Sequence, residues 1–216
     1  MTEMWFMRHG ETDWNVVRRL QGWRDIPLNE TGRAQAQSLG EHLKKLSSVT
    51  PFDVAYTSDL VRTVNTLAPA AELLAMTPIL EPGLRERHYG LLEGLAVGEL
   101  ADKAPPAAYA AWANREENGS VGDNGETLRQ FHDRIIGTVS DIASRHVGQR
   151  VLVMTHGGVL DIIWRHAQSV PLVDKRRTPM YNVSINRVKV GASGWEVLGW
   201  GDVSHMPSPV GNDVVA

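Results

Sequence analysis

Two short apolar runs, far apart in the chain, each end on a histidine. Met4-Trp5-Phe6-Met7 leads into Arg8-His9-Gly10-Glu11-Thr12, and Val151-Leu152-Val153-Met154 leads into Thr155-His156-Gly157. Runs without polar interruption read as strands of a sheet covered on both faces. In an open α/β sheet the ligand crevice lies beyond the carboxyl ends of the strands, so two such strands bring their terminal imidazoles to one place. That arrangement suits phosphoryl chemistry on a histidine nitrogen.

The rest of the pattern supports such a sheet. Strand-like runs fall at Met4–Arg8, Asp53–Thr57, Thr77–Glu81 and Val151–Thr155, with helical patterns between them. This is the βαβ alternation of a mainly parallel sheet. Ala36, Leu39, Leu43 and Leu46 recur at helical spacing behind Asn29 or Thr31 as caps, and Leu128, Phe131, Ile135, Val139 and Ile142 trace a second stripe. Further helices are expected over Leu60–Leu74 and Gly158–Ala167, each starting just beyond a strand end, so that their amino termini favour an anion in the crevice. Tyr181–Val190 and Trp195–Trp200 alternate around Gly191-Ala192-Ser193-Gly194 and read as a hairpin added to the sheet. The fold expected is α/β, a three-layer α/β/α sandwich with a mainly parallel central sheet and a lid insertion.

That insertion is the stretch from about Ala104 to Gly125. Pro105-Pro106 opens a short alanine-rich helix with Tyr109 and Trp112, and a glycine-rich loop follows from Asn118 to Gly125. Two readings stand: a lid over the crevice, or a solvated connector with one anchoring tryptophan. At 216 residues a single domain over 1–205 is expected. The segment 206–216, with Pro207, Pro209 and Gly211, is expected to be a flexible tail.

Composition excludes several chemistries. The chain has no cysteine, so disulfides, thiolate metal sites and a cysteine nucleophile are ruled out. A formal net charge of -3 and a pI near 6.2 give no broad basic field, and nucleic acid is not an expected partner. No segment approaches the roughly 20 apolar residues that span a bilayer, and no secretory leader is evident. A cytoplasmic protein without membrane partners is expected.

Four ordered blocks carry a family resemblance. Arg8-His9-Gly10-Glu11-Thr12, Arg62 within Thr57–Thr63, Glu86 within Leu84–Gly90, and Thr155-His156-Gly157-Gly158 resemble the histidine phosphatase superfamily, also called phosphoglycerate mutase-like, from about Met4 to about Val203. Four blocks in order are far more specific than any one short motif.

The resemblance implies a role for each. His9 is the nucleophile, which must attack phosphorus through an unprotonated nitrogen while its other nitrogen is held by an acceptor such as a backbone carbonyl. Arg8 and Arg62 supply planar, permanently charged forks for the phosphoryl oxygens and lower the proton affinity of His9. His156 is the second histidine of the phosphate pocket, with backbone amides near Gly157 as further donors. Glu86 is the general acid that protonates the leaving oxygen and then, as base, activates water. Asn15, Gln21 and Gly22 match positions contacting the phosphoryl group or the adjoining part of the substrate. Arg87 pairs with Glu86 or binds substrate, and Thr12 stays outside the catalytic set.

The remaining histidines read differently. His42, His132, His146 and His166 fall in helical segments as surface or packing residues, His88 sits near Glu86 without a duty, and His205 belongs near the tail. None shows metal-ligand spacing, and no metal or other cofactor is expected.

The leading reading is a phosphomonoesterase that passes the phosphoryl group of a small phosphorylated metabolite to His9 and then to water. The alternative is a phosphoglycerate mutase dependent on 2,3-bisphosphoglycerate, which Glu86-Arg87-His88-Tyr89-Gly90 resembles. Gln21-Gly22 resembles the phosphatase branch instead. Ala96–Ala113 also lacks the adjacent arginine pair with which mutases hold the substrate carboxylate, and Arg115 stands alone. A third reading is a catalytically silent phospho-ligand or protein-binding module on the same fold. The sequence leaves open a homodimer through the C-terminal hairpin.

Overall fold

The computed structural model describes residues 1–176 and 178–207. In chain order the elements are β1 (Thr2–Arg8), α1 (Asp13–Val16), α2 (Glu30–Ser47), β2 (Val54–Thr57), α3 (Val61–Leu74), β3 (Ile79–Leu80), α4 (Leu100–Lys103), α5 (Pro106–Ala113), α6 (Leu128–Arg145), β4 (Arg150–Thr155), α7 (Gly157–Gln168), β5 (Ile185–Gly191) and β6 (Gly194–Asp202). The sheet order is β3-β2-β4-β1-β5-β6. β1 to β4 pair in parallel, while β5 runs antiparallel to β1 and β6 antiparallel to β5. Among the described residues no helix is long and apolar enough to cross a membrane.

The uninterrupted apolar runs have a direct physical reason. Successive strand residues point to opposite faces. Met4, Phe6, Val151 and Val153 pack with Phe131, Ile135, Val139 and Ile142 of α6 and Val159 and Ile163 of α7. Trp5, Met7, Leu152 and Met154 pack with Leu39 and Leu43 of α2 and Leu67 and Ala70 of α3 on the other face. Ile135 is fully buried, so Ile135→Ala would cost about 2–5 kcal/mol.

Local chemistry fixes where the long helices begin. The Asn29 side chain accepts the Gly32 N–H at the start of α2, while Thr127 and Gln130 satisfy each other's backbone N–H groups at the start of α6. The strand expected over Thr77–Glu81 shrinks to Ile79–Leu80, both exposed. Pro78 and Pro82 flank it, and neither has an N–H to extend a ladder.

The stretch after β3 builds a third apolar cluster beyond the strand ends. Trp112 of α5 and Val121 of the glycine-rich loop are buried there with Leu20, Tyr89, Leu92 and Leu100. Of the tail expected at 206–216, Met206 packs against the α2 and α3 cluster. The residues from 208 onward lie outside the described set.

Candidate active site

β1 and β4 are adjacent and in register from Glu3↔Arg150 to Arg8↔Thr155, so His9 and His156 leave the sheet side by side. Their ring centroids are 5.3 Å apart, at an interplanar angle of 62°. His9 Nδ1 lies 2.7 Å from the Gly10 carbonyl oxygen. A carbonyl only accepts, so Nδ1 carries the proton and Nε2 keeps its lone pair. The backbone of His9 is fixed as well: its N–H donates to Thr155 O at 3.0 Å, and its carbonyl accepts from Asn182 Nδ2 at 2.9 Å.

Both imidazoles are held neutral. Burial pushes His9 well below the usual histidine range, and the charges of Arg62 and Arg8 push in the same direction. His156 is likewise depressed by burial, then by Arg62 and His9. His156 Nε2 sits 2.9 Å from Ser58 Oγ at the end of β2, while its Nδ1 has no hydrogen-bond partner.

Two buried arginines flank the pair. Arg8 donates to Met180 O. Arg62, in the first turn of α3, donates to Gly22 O at 2.8 Å and Arg24 O at 2.9 Å. Burial lowers the Arg62 pKa to about 10 against the opposing pull of Glu86, Asp25 and Glu93. It remains a cation near neutral pH.

Glu86 reaches the site from the turn after β3. Its Oε1 accepts the Arg87 N–H at 2.8 Å and its Oε2 accepts the Gly158 N–H at 2.9 Å. A Cβ on Gly158 would lie 2.1 Å from Glu86 Oε1, so glycine is needed for this close approach. Of the amides near Gly157 expected as donors, that of Gly158 is committed to Glu86, and Gly157 opens α7 beside it.

A cavity of about 30 Å³ is lined by Arg8, His9, Asn15, Gln21, Gly22, Arg62, Glu86 and Tyr89, among others. Asn15 Oδ1 accepts from both the backbone N–H and the hydroxyl of Thr12, which turns the side chain into a cap for α1. Gly22 takes φ +53°, a left-handed conformation suited to glycine. Its carbonyl holds Arg62.

Arg87 points elsewhere. Its backbone N–H binds Glu86, but its side chain donates to Glu126 O at 3.0 Å, and one terminal nitrogen has no partner. It lines a second cavity, also about 30 Å³, with Arg115, Asp161, Arg176, Gly158 and Tyr89, the last shared with the first cavity. Arg115 does not stand alone there. Asp161 Oδ2 accepts from Arg115 at 3.0 Å and Arg165 at 2.9 Å, and Oδ1 lies 3.4 Å from Arg176. Burial alone would raise the Asp161 pKa; Arg176, Arg115 and Arg165 outweigh it and hold the carboxylate ionised. Three guanidinium groups thus meet one carboxylate, and the second cavity, lined by Arg87, Arg115 and Arg176 against Asp161, carries excess positive charge.

The model of the histidine phosphatase superfamily (branch 1) matches residues 4–203. The chain belongs to this superfamily. It is an enzyme, 37% identical over 209 residues to the "Metal-independent phosphoserine phosphatase" of Arabidopsis thaliana, a match covering 96% of this chain and 84% of that protein. It is also 32% identical to the "Probable phosphoglycerate mutase GpmB" of Photorhabdus laumondii, over 97% of each. Among solved structures, Bacillus stearothermophilus YhfR superimposes with a TM-score of 0.83 at 32% identity, covering 95% of this chain and 99% of that one. Among the described residues no three His, Cys, Asp or Glu side chains converge to hold a metal ion.

Sequence reasoning did not assign Ser58, Asp161, Arg176 or Asn182 to the site. Ser58 lies inside a motif block and was the most accessible of these. The others sit in helical or loop segments where charge and amide groups ordinarily mark a solvated face.

Proposed function

We propose that this enzyme hydrolyses a small phosphomonoester carrying a carboxylate, through a phosphohistidine on His9. The observation that carries the reading is a neutral imidazole, tied at Nδ1 to Gly10 O, in a cavity shared with Arg8, Arg62 and Glu86. In the first step the Nε2 lone pair attacks phosphorus and the ester P–O bond breaks. The leaving oxygen takes the Glu86 proton, while Arg8 and Arg62 meet the charge on the phosphoryl oxygens. In the second step the Glu86 carboxylate takes a proton from water, the water oxygen attacks phosphorus, and the N–P bond breaks to return the electron pair to Nε2. His156 adds a donor on the far side of the phosphoryl group.

The second cavity supports the substrate class. Its arginines suit a carboxylate or a similar anion, which Arg87 receives through its unpartnered nitrogen while Tyr89 walls both compartments. The phosphoserine phosphatase among the relatives fits such a substrate. Relatives named as probable mutases support a second reading, in which phosphohistidine returns its phosphoryl group to a glycerate.

The test is NMR of the purified protein with phosphoserine and, separately, with 3-phosphoglycerate, with and without 2,3-bisphosphoglycerate. Phosphate release without the bisphosphate is the expected result. Fast bisphosphate-dependent formation of 2-phosphoglycerate without phosphate release would overturn the hydrolase reading.

A further inference from the structure

Arg134 lies in α6, outside both cavities, yet its side chain is committed to the segment that carries Glu86. Its Nη1 donates to Gly83 O at 2.9 Å and Arg85 O at 3.0 Å, and its Nη2 to Glu86 O at 3.1 Å. Its Nε and Nη2 also reach the two carboxylate oxygens of Glu126 at 2.6 and 2.7 Å. A guanidinium has five N–H donors, and these five bonds use them all.

Glu126 extends the clamp. Its Oε2 accepts the His88 N–H at 2.9 Å, and its own backbone N–H and carbonyl bind His88 O and the Arg87 side chain. The chain is therefore gripped on both sides of Glu86 by one ion pair. The Glu86 carbonyl also accepts from Trp23 Nε1 at 2.7 Å, so that oxygen has two donors.

The consequence follows from peptide planarity. The Glu86 carbonyl and the Arg87 N–H belong to one rigid peptide unit. Arg134 and Trp23 pin the oxygen end of that unit; the nitrogen end donates to the Glu86 carboxylate. Fixing the plane thus aims the N–H that holds the carboxylate, and donation into the carbonyl strengthens that N–H as a donor.

We propose that Arg134, assisted by Trp23, is a positioning residue that aims the Glu86 carboxylate at the leaving-group oxygen through the Glu86–Arg87 peptide plane. This rests on the reading of Glu86 as the proton donor. A lysine at 134 keeps the charge but cannot serve three carbonyls and a carboxylate at once.

The test uses single-turnover kinetics on p-nitrophenyl phosphate, whose leaving group needs little protonation, and on phosphoserine, whose alkoxide needs a proton. Arg134→Lys should slow phosphoserine cleavage by roughly ten- to a hundredfold. The p-nitrophenolate burst should change less than about threefold. Trp23→Phe, at a partly exposed position, should act in the same direction more weakly. Glu86→Gln should show the same leaving-group pattern more strongly, and Arg134→Lys should add nothing in the Glu86→Gln background. If Glu86→Gln shows the pattern but Arg134→Lys slows both substrates equally or neither, the positioning role is overturned. If Glu86→Gln shows no leaving-group dependence, the proton-donor reading falls and the positioning role with it.

Discussion

Two fully buried neutral histidines make this fold sensitive to mild acid. In the folded state both His9 and His156 are depressed well below the ordinary value, chiefly by burial and then by Arg62. The unfolded chain therefore takes up two protons as pH falls through about 6.5, and the folded chain takes them up only at lower pH. A depressed folded value means that the stability is present above about pH 6.5 and is lost as pH falls toward the folded values. Between about pH 7.5 and about pH 5.5 each histidine costs at most about 1.4 kcal/mol, at most about 3 kcal/mol for the pair. Urea unfolding at the two pH values measures the loss in the wild type and in His9→Gln/His156→Gln. The difference between the two proteins cancels every other titrating group. An equal pH dependence in both would refute the claim that these imidazoles are held neutral.

Other outcomes follow from the site. Gly158→Ala places a Cβ against the Glu86 carboxylate, so turnover of alkyl phosphates should fall by about 10²-fold or more while helix propensity keeps the melting temperature near that of the wild type; full activity would show that Glu86 needs no such seat. Arg87→Met should raise KM for phosphoserine at least about tenfold more than for ethyl phosphate, which has no carboxylate; equal effects would remove the second cavity from substrate recognition. Dialysis against EDTA should leave turnover unchanged, and loss restored by a divalent ion would contradict the metal-free scheme.

The sheet and its covering helices were legible because their signals are local. Apolar runs with buried neighbours on both faces gave β1 and β4, and the apolar stripes from Ala36 to Leu46 and from Leu128 to Ile142 gave α2 and α6. β3 was overestimated because a strand-like composition outweighed the prolines at both ends. The strand-end location of His9 and His156 was equally readable, and the in-register pairing of β1 with β4 sets them together. Contacts between distant segments were not. Asp161 and Arg165, four apart on α7, look like a surface pair, and only Arg115 and Arg176 from other segments make them part of a buried cluster. Arg134 reads as the polar face of an amphipathic helix until the turn bearing Glu86 is laid over it. The destination of the Gly158 amide depends on a carboxylate 72 residues earlier in the chain.

The central claim is a covalent phosphohistidine at His9. Radiolabelled phosphoserine mixed with enzyme and quenched in alkali within a turnover should leave protein-bound label that survives base and is lost in acid. Peptide mass spectrometry should place it on His9, and His9→Ala should carry no label and show no turnover. Steady turnover by the wild type with no trapped label, together with activity retained in His9→Ala, would contradict the account.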